Sequence, residues 1–267
     1  MIIEQIYTKC LAQGAYYIES DGEAAVIDPL REPTPYIERA KKNKAKIKYI
    51  FETHIHADFV SGHLDLAKKT AATIVFGPNT NTHYDCYNAL DGETFKIGSL
   101  TLKVMHTPGH TLESVSYLLI DASGKNHALF SGDTLFLGDI GIPDVAQQYK
   151  DISKEKLAEM LFESLRSKIM PLEDNIILYP AHGAGSACGK NMSKETIGTL
   201  GDQKSSNYAL RADMTKEEFV SEVLNGIGSP PPYFIENILL NKTGSVSYTH
   251  LRAHETRGNL VCRLLLE

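Results

Sequence analysis

The sequence has no CxxC pair: Cys10, Cys86, Cys188 and Cys262 are scattered over 267 residues. That pattern argues against a zinc ribbon or a disulfide-built scaffold and favours a reducing cytosol. No apolar run approaches the ~18–20 residues that a membrane-spanning helix needs. The opening Met-Ile-Ile-Glu-Gln-Ile-Tyr lacks the charged-then-apolar layout of a signal peptide, so the cytoplasm is the expected compartment. There is no basic arm, and 27 Lys and Arg against 33 Asp and Glu leave a formal net charge of −6. Neither nucleic acid nor an anionic membrane is an expected partner for such a chain. A hydrophobic share of 42% and a charged share of 22% describe a globular protein long enough to bury a real core.

The most informative stretch is Thr53-His-Ile-His-Ala-Asp-Phe-Val-Ser-Gly-His63, directly after the apolar run Ile47 to Phe51. In extended backbone, alternate side chains share a face, so His54, His56 and Asp58 aim at one place. Imidazole and carboxylate together suit a divalent transition metal.

Other strand ends deliver the same chemistry. Ile2 to Tyr7, Ala15 to Glu19 and Ala24 to Ile27 read as strands, with Asp21-Gly22 as a hairpin turn. Pro35 to Lys46 reads as a helix, and a second helix starts near Ser61. Thr73 to Phe76 and two runs within Phe95 to Met105 are strands, the latter ending in His106-Thr-Pro-Gly-His110. Val115 to Ile120 and Ala128 to Ser131 follow, the last leading to Gly132-Asp133. Ser153 to Ile169 has the clearest helical period, with Leu157, Leu161, Leu165 and Ile169 on one face and Ser153 as a partial cap. Ile176 to Tyr179 then runs into Pro180-Ala-His182. Interleaved strands and helices in two strand-rich halves imply an α/β protein of two mixed sheets with helices outside. His106 is expected to pack beside the site, and His83 and His127 to lie in exposed loops.

The motifs THIHAD, HTPGH, SGDTLF and YPAHG, in this order and spacing, resemble the metallo-β-lactamase fold superfamily over about residues 1 to 244. The resemblance implies a four-layer αββα sandwich with a metal site at one edge between the sheets. Within the superfamily the chain is similar to the persulfide dioxygenase branch, close in sequence to glyoxalase II. The stretch GSACGKNMSKET resembles bacterial members that carry a rhodanese domain behind the metal domain. Persulfide dioxygenases imply a mononuclear Fe(II) site on His54, His110 and Asp133. Two histidines and a carboxylate are also the facial triad of non-haem iron oxygenases.

Two departures bear on this expectation. Dinuclear members place a histidine directly after the aspartate of the first motif, where this chain has Phe59. That weakens a second metal position and leaves His56, Asp58 and His182 as second-site ligands or as groups orienting the first. Many enzymes acting on glutathione persulfide have an arginine where Ile142 stands, so the carrier thiol is open. Arg211, Tyr149 and Lys190 are candidates for compensating substrate contacts, and Cys188 is a candidate for facing the persulfide sulfur.

The leading expectation is oxidation of glutathione persulfide, or a similar small persulfide, by O2 to sulfite. The alternative is a zinc-dependent hydrolase of a glutathione thioester. A third reading makes the metal domain a structural platform, but three ligands do not close a structural zinc site. A homo-oligomer is compatible with the sequence.

Residues 1–229 are expected to form the metal domain and 230–244, opened by Pro230-Pro231-Pro232, a linker toward a missing rhodanese-like domain in cis. Residues 245–267 resemble a translated sequencing-adapter read and are expected to be a non-native tail, which discounts His250 and His254 as ligands.

Overall fold

The computed structural model describes residues 1–143 and 152–244. Tyr149, the stretch beyond Gly244 with His250 and His254, and any domain after it lie outside the described residues.

Two mixed six-stranded sheets carry the architecture. One is ordered β1 (Ile2–Thr8), β2 (Gln13–Ser20), β3 (Glu23–Ile27), β4 (Lys46–Phe51), β5 (Thr73–Phe76), β6 (Tyr87–Asn88). The other is ordered β12 (Gly198–Thr199), β11 (Ile177–Pro180), β10 (Asn126–Gly132), β9 (Val115–Ile120), β8 (Leu100–His106), β7 (Thr94–Ile97). Asp21 and Gly22 both have positive φ, at 50° and 78°, as the tight turn between β2 and β3 requires.

The inner strands β2, β3 and β9 bury both faces, which explains why they read as nearly continuous apolar runs. On β2, Tyr16 and Ile18 face the space between the sheets, where they meet Phe51, Val75, Tyr117, Leu119 and Phe130. Their neighbour Tyr17 faces outward, into a cluster with Tyr36 of α1 (Thr34–Asn43), Leu66 of α2 (His63–Thr70) and Phe234 of α6 (Tyr233–Thr243). The outer face of the second sheet is covered by α3 (Lys154–Ser164) and α5 (Lys216–Leu224), through Ala158, Leu161, Phe219 and Val223. The result is the expected αββα layering. A short α4 (Leu200–Ser206) follows β12.

Two local expectations need correction. The helix predicted to run to Ile169 is α-helical only to Ser164 and continues as a π-helical turn, Leu165–Ile169; Ser153 does cap it, accepting from the Lys156 amide. The stretch 230–244 is not a free linker. Within it α6 buries Phe234 and Ile238 in the outer core and Asn237 and Asn241 beside the first histidine motif. No helix among the described residues is long and apolar enough to cross a membrane.

Candidate metal centre

Each ligand sits just past a strand end. β4 delivers His54, His56 and Asp58, the loop after β8 delivers His110, β10 delivers Asp133 and β11 delivers His182. Two glycines let these loops close. A Cβ on Gly62 would fall 2.0 Å from the Leu30 carbonyl oxygen, and Gly109, at φ 149°, lies so close to α3 that a Cβ would meet Leu161 at 2.3 Å. Only glycine fits at either place.

The donors sort into two buried triplets, His54 with His110 and Asp133, and His56 with Asp58 and His182. Hydrogen bonds behind the first triplet fix its protons. The Thr53 hydroxyl donates to Asp28 at 2.8 Å, so its oxygen is left to accept from His54 Nδ1 at 3.0 Å. His110 Nδ1 donates to the Ile142 carbonyl at 2.7 Å. Both imidazoles therefore present a bare Nε2, the ligating tautomer. The two Nε2 atoms stand 3.7 and 3.5 Å from Asp133 Oδ2. In the second triplet, His56 Nδ1 and Asp58 Oδ1 are buried without a hydrogen-bond partner, while His182 Nε2 lies 3.0 Å from Asp58 Oδ2. Buried polar atoms are rarely left so. A divalent cation suits both donor sets.

The charges fit the same reading. Burial holds the His54 imidazole well below its usual pKa, with His56 adding to the effect, so it is a neutral ligand at physiological pH. Burial alone would raise the Asp133 carboxyl, but His182 and His54 outweigh it and keep it ionised. Burial likewise opposes charge on His182, yet Asp133 and Asp58 on either side push its pKa well up. His182 Nδ1 lies 2.7 Å from Asp133 and Nε2 lies 3.0 Å from Asp58, so this imidazole can carry positive charge between two carboxylates.

Phe59 is buried, and its ring rests against His56 at a centroid distance of 4.4 Å; it offers no donor. His63 does not substitute for one, because it is held elsewhere by Glu52 and Tyr84. The Tyr84 hydroxyl donates its one proton to the Asn241 carbonyl at 2.7 Å. His63 Nε2, at 2.8 Å, must then donate to the Tyr84 oxygen. Neutral His63 accepts at Nδ1 from Glu52 at 2.8 Å, which makes Glu52 a carboxylic acid. Burial and the Asp28 charge push the Glu52 pKa well up, and burial pushes His63 down to about 3.

A raised carboxyl contributes stability below its unfolded-state pKa and loses it as pH rises through the folded one. In urea titrations of metal-free protein, the advantage of wild type over Glu52→Gln should therefore be larger at pH 5 than at pH 8. An equal advantage at both would show that Glu52 is ionised in the fold.

The remaining candidates divide. Cys188 is buried, with its thiol in one cluster with Asp133 and His182, all ligand atoms within 4.8 Å. Lys190 is not brought to the centre, since its ammonium donates to the carbonyls of Glu222 and Asn225 at the end of α5, at 2.9 and 2.6 Å. That is where the helix dipole favours a cation. Arg211 lies exposed and pairs with Asp213 at 2.9 Å. His106 Nε2 bonds the Leu112 carbonyl at 2.8 Å. Ile142, notable in the sequence for what it replaces, orients His110 through its backbone oxygen, a role no side-chain pattern discloses.

A family model described as the metallo-beta-lactamase superfamily matches residues 9–84. A metallo-beta-lactamase from Staphylococcus aureus subsp. aureus COL superposes with a TM-score of 0.84 at 35% identity, covering 92% of this chain and 74% of that one. ETHE1 from Myxococcus xanthus superposes with a TM-score of 0.75 at 25% identity, covering 91% and 98%. Among curated proteins, the cytoplasmic hydroxyacylglutathione hydrolase of Arabidopsis thaliana is 34% identical over 140 residues, 51% of this chain. The match spans about half, 54%, of that relative's length.

Proposed function

This chain belongs to the metallo-beta-lactamase superfamily, and on that premise we propose that it is a mononuclear persulfide dioxygenase. Its substrate is glutathione persulfide or another small persulfide, RSSH. With O2 and water this yields RSH, sulfite and two protons. The reading rests on one observation: two buried two-histidine, one-carboxylate triplets lie side by side, and only the second, with Phe59 against His56, has a hydrocarbon where a further donor would stand. Iron(II), held by His54, His110 and Asp133, would supply the redox chemistry. The chain's own part is to hold two neutral imidazoles and one carboxylate in a buried pocket. Phe59 keeps water from one side of His56, and Cys188 presents a thiol where a sulfur substrate can exchange with it.

A second reading, a zinc-dependent hydrolase of a glutathione thioester, is favoured by the name of the Arabidopsis relative and by the second triplet, in which His56 Nδ1 and Asp58 Oδ1 have no hydrogen-bond partner. Oxygen consumption separates the two. The full chain, loaded anaerobically with Fe(II), should consume one O2 per sulfite when glutathione persulfide is added, and the zinc form should not. Thioester hydrolysis by the zinc form, with no oxygen uptake by the iron form, would replace the first reading with the second.

A further inference from the structure

The loop carrying His56 and Asp58 leaves both sheets, so strand pairing cannot satisfy its backbone. Buried carbonyls must nevertheless be paired. Two side chains from the far end of the sequence do this. Asn237 Nδ2 donates to the Ala57 carbonyl at 2.9 Å. Asn241 Nδ2 donates to the carbonyls of His56 and Phe59, at 2.8 and 2.9 Å, and Asn241 Oδ1 accepts from the Ser61 amide at 2.9 Å. The two amides are four residues apart on α6 and so share one helix face. Asn241 uses both its donors and its acceptor on a single loop.

The carbonyls they grip belong to residues 56, 57 and 59, which bracket Asp58. Helix α6 is itself fixed, by Phe234 and Ile238 in the core and by the Tyr84 hydroxyl and His83 amide, which bond the carbonyls of Asn241 and Lys242 at 2.7 and 2.8 Å. The stripe therefore holds the loop against a rigid support. It does so where His56 Nδ1 and Asp58 Oδ1 are left with no partner.

We propose that Asn237 and Asn241 are positioning residues of the metal centre: they fix the loop on which Asp58 meets His182 Nε2 at 3.0 Å, and His182 Nδ1 in turn holds the Asp133 ligand at 2.7 Å. The inference rests on the metal reading above and adds to it that donor geometry depends on a helix lying more than 170 residues further along the chain. Neither residue touches the cation. An amide is required because it both donates to carbonyls and accepts from an amide; a carboxylate of the same shape keeps only the acceptor and sets a charge against two carbonyl oxygens.

The test compares full-length wild type with Asn241→Asp, Asn237→Ala and Ile235→Ala, the last on the exposed face of the same helix. Zn(II) affinity is read by chelator competition and coordination geometry by Co(II) absorption. Thermal unfolding of the metal-free proteins is read separately. Groups that orient ligands typically contribute about 10–100-fold to metal affinity. Asn241→Asp should lose that much and shift the Co(II) bands, Asn237→Ala should lose less, and Ile235→Ala should match wild type. A merely structural role would lower metal-free stability and leave affinity and spectrum unchanged. If Asn241→Asp does not fold, Asn237→Ala, which removes one bond, decides alone. Wild-type affinity and bands in the folded variants would overturn this inference only; a wild type that binds neither ion would overturn it together with the metal reading.

Discussion

Asp133→Asn should empty the centre while leaving the fold standing. Asp133 faces three imidazoles at once, with Oδ2 toward His54 and His110 and Oδ1 bonded to His182 at 2.7 Å. Asparagine keeps the shape, and its oxygen still accepts from His182. Its amide nitrogen then points two hydrogens at the bare Nε2 atoms of His54 and His110, making hydrogen bonds where a cation would have bound. The substitution replaces a charged ligand with a competitor. Catalytic metals contribute several kcal/mol through charge stabilisation, and each 1.36 kcal/mol is about tenfold in rate. Activity should fall by about a thousandfold or more, and metal content to under about a tenth of wild type. The metal-free variant should still fold but melt lower than metal-free wild type, because the substitution removes one partner of the buried Asp133–His182 pair. Elemental analysis with calorimetry checks both halves. Wild-type metal content in the variant would remove Asp133 from the ligand set.

The sequence disclosed much of this centre because ligands at strand ends leave a local signature. His54, His56 and Asp58 alternate along five residues, and His110, Asp133 and His182 each follow an apolar run that reads as a strand. The sheets were legible for the same reason, since β2, β3 and β9 are buried almost throughout and carry runs of Ala, Val, Ile, Leu and Tyr. What escaped depends on distance in the chain. Glu52 and His63 flank the motif at an unremarkable spacing, and only the fold brings Tyr84 and Asn241 to complete their hydrogen bonds. Helix α6 was obscured twice over. Three prolines before it suggested a linker, and its apolar residues, Phe234, Ile235, Ile238 and Leu239, cover more than one face, while the side it turns to the loop carries asparagines. A helical asparagine ordinarily means a solvated surface; here Asn237 and Asn241 are 7% and 3% exposed. Lys190 and Arg211 illustrate the converse, because a cation near the motifs in sequence says nothing about which carbonyl or carboxylate it will find.

Phe59→His should move the protein toward its hydrolytic relatives. The Phe59 ring lies against His56, at an interplanar angle of 33°, and its backbone is fixed by the Asn241 bond to its carbonyl. An imidazole on the same backbone stands beside a triplet that already offers His56, Asp58 and His182. It adds the neutral nitrogen donor the second position lacks, and imidazole suits zinc. Without metal the change is unfavourable, because a polar ring left unpaired in an apolar slot costs about 1–3 kcal/mol. The metal-free variant should melt lower than wild type, and zinc should restore more than is lost. Zinc per chain should rise from one toward two, and the zinc form should gain hydrolysis of a glutathione thioester, since a water between two cations is more acidic and better placed for attack. In the iron form, persulfide oxidation should fall as the second cation competes for Asp133. Metal analysis before and after dialysis, with thioester and oxygen assays on the same samples, reads every part. An unchanged zinc count would mean that Phe59 is not what limits the centre to one metal, and the mononuclear reading would lose its strongest support from this chain.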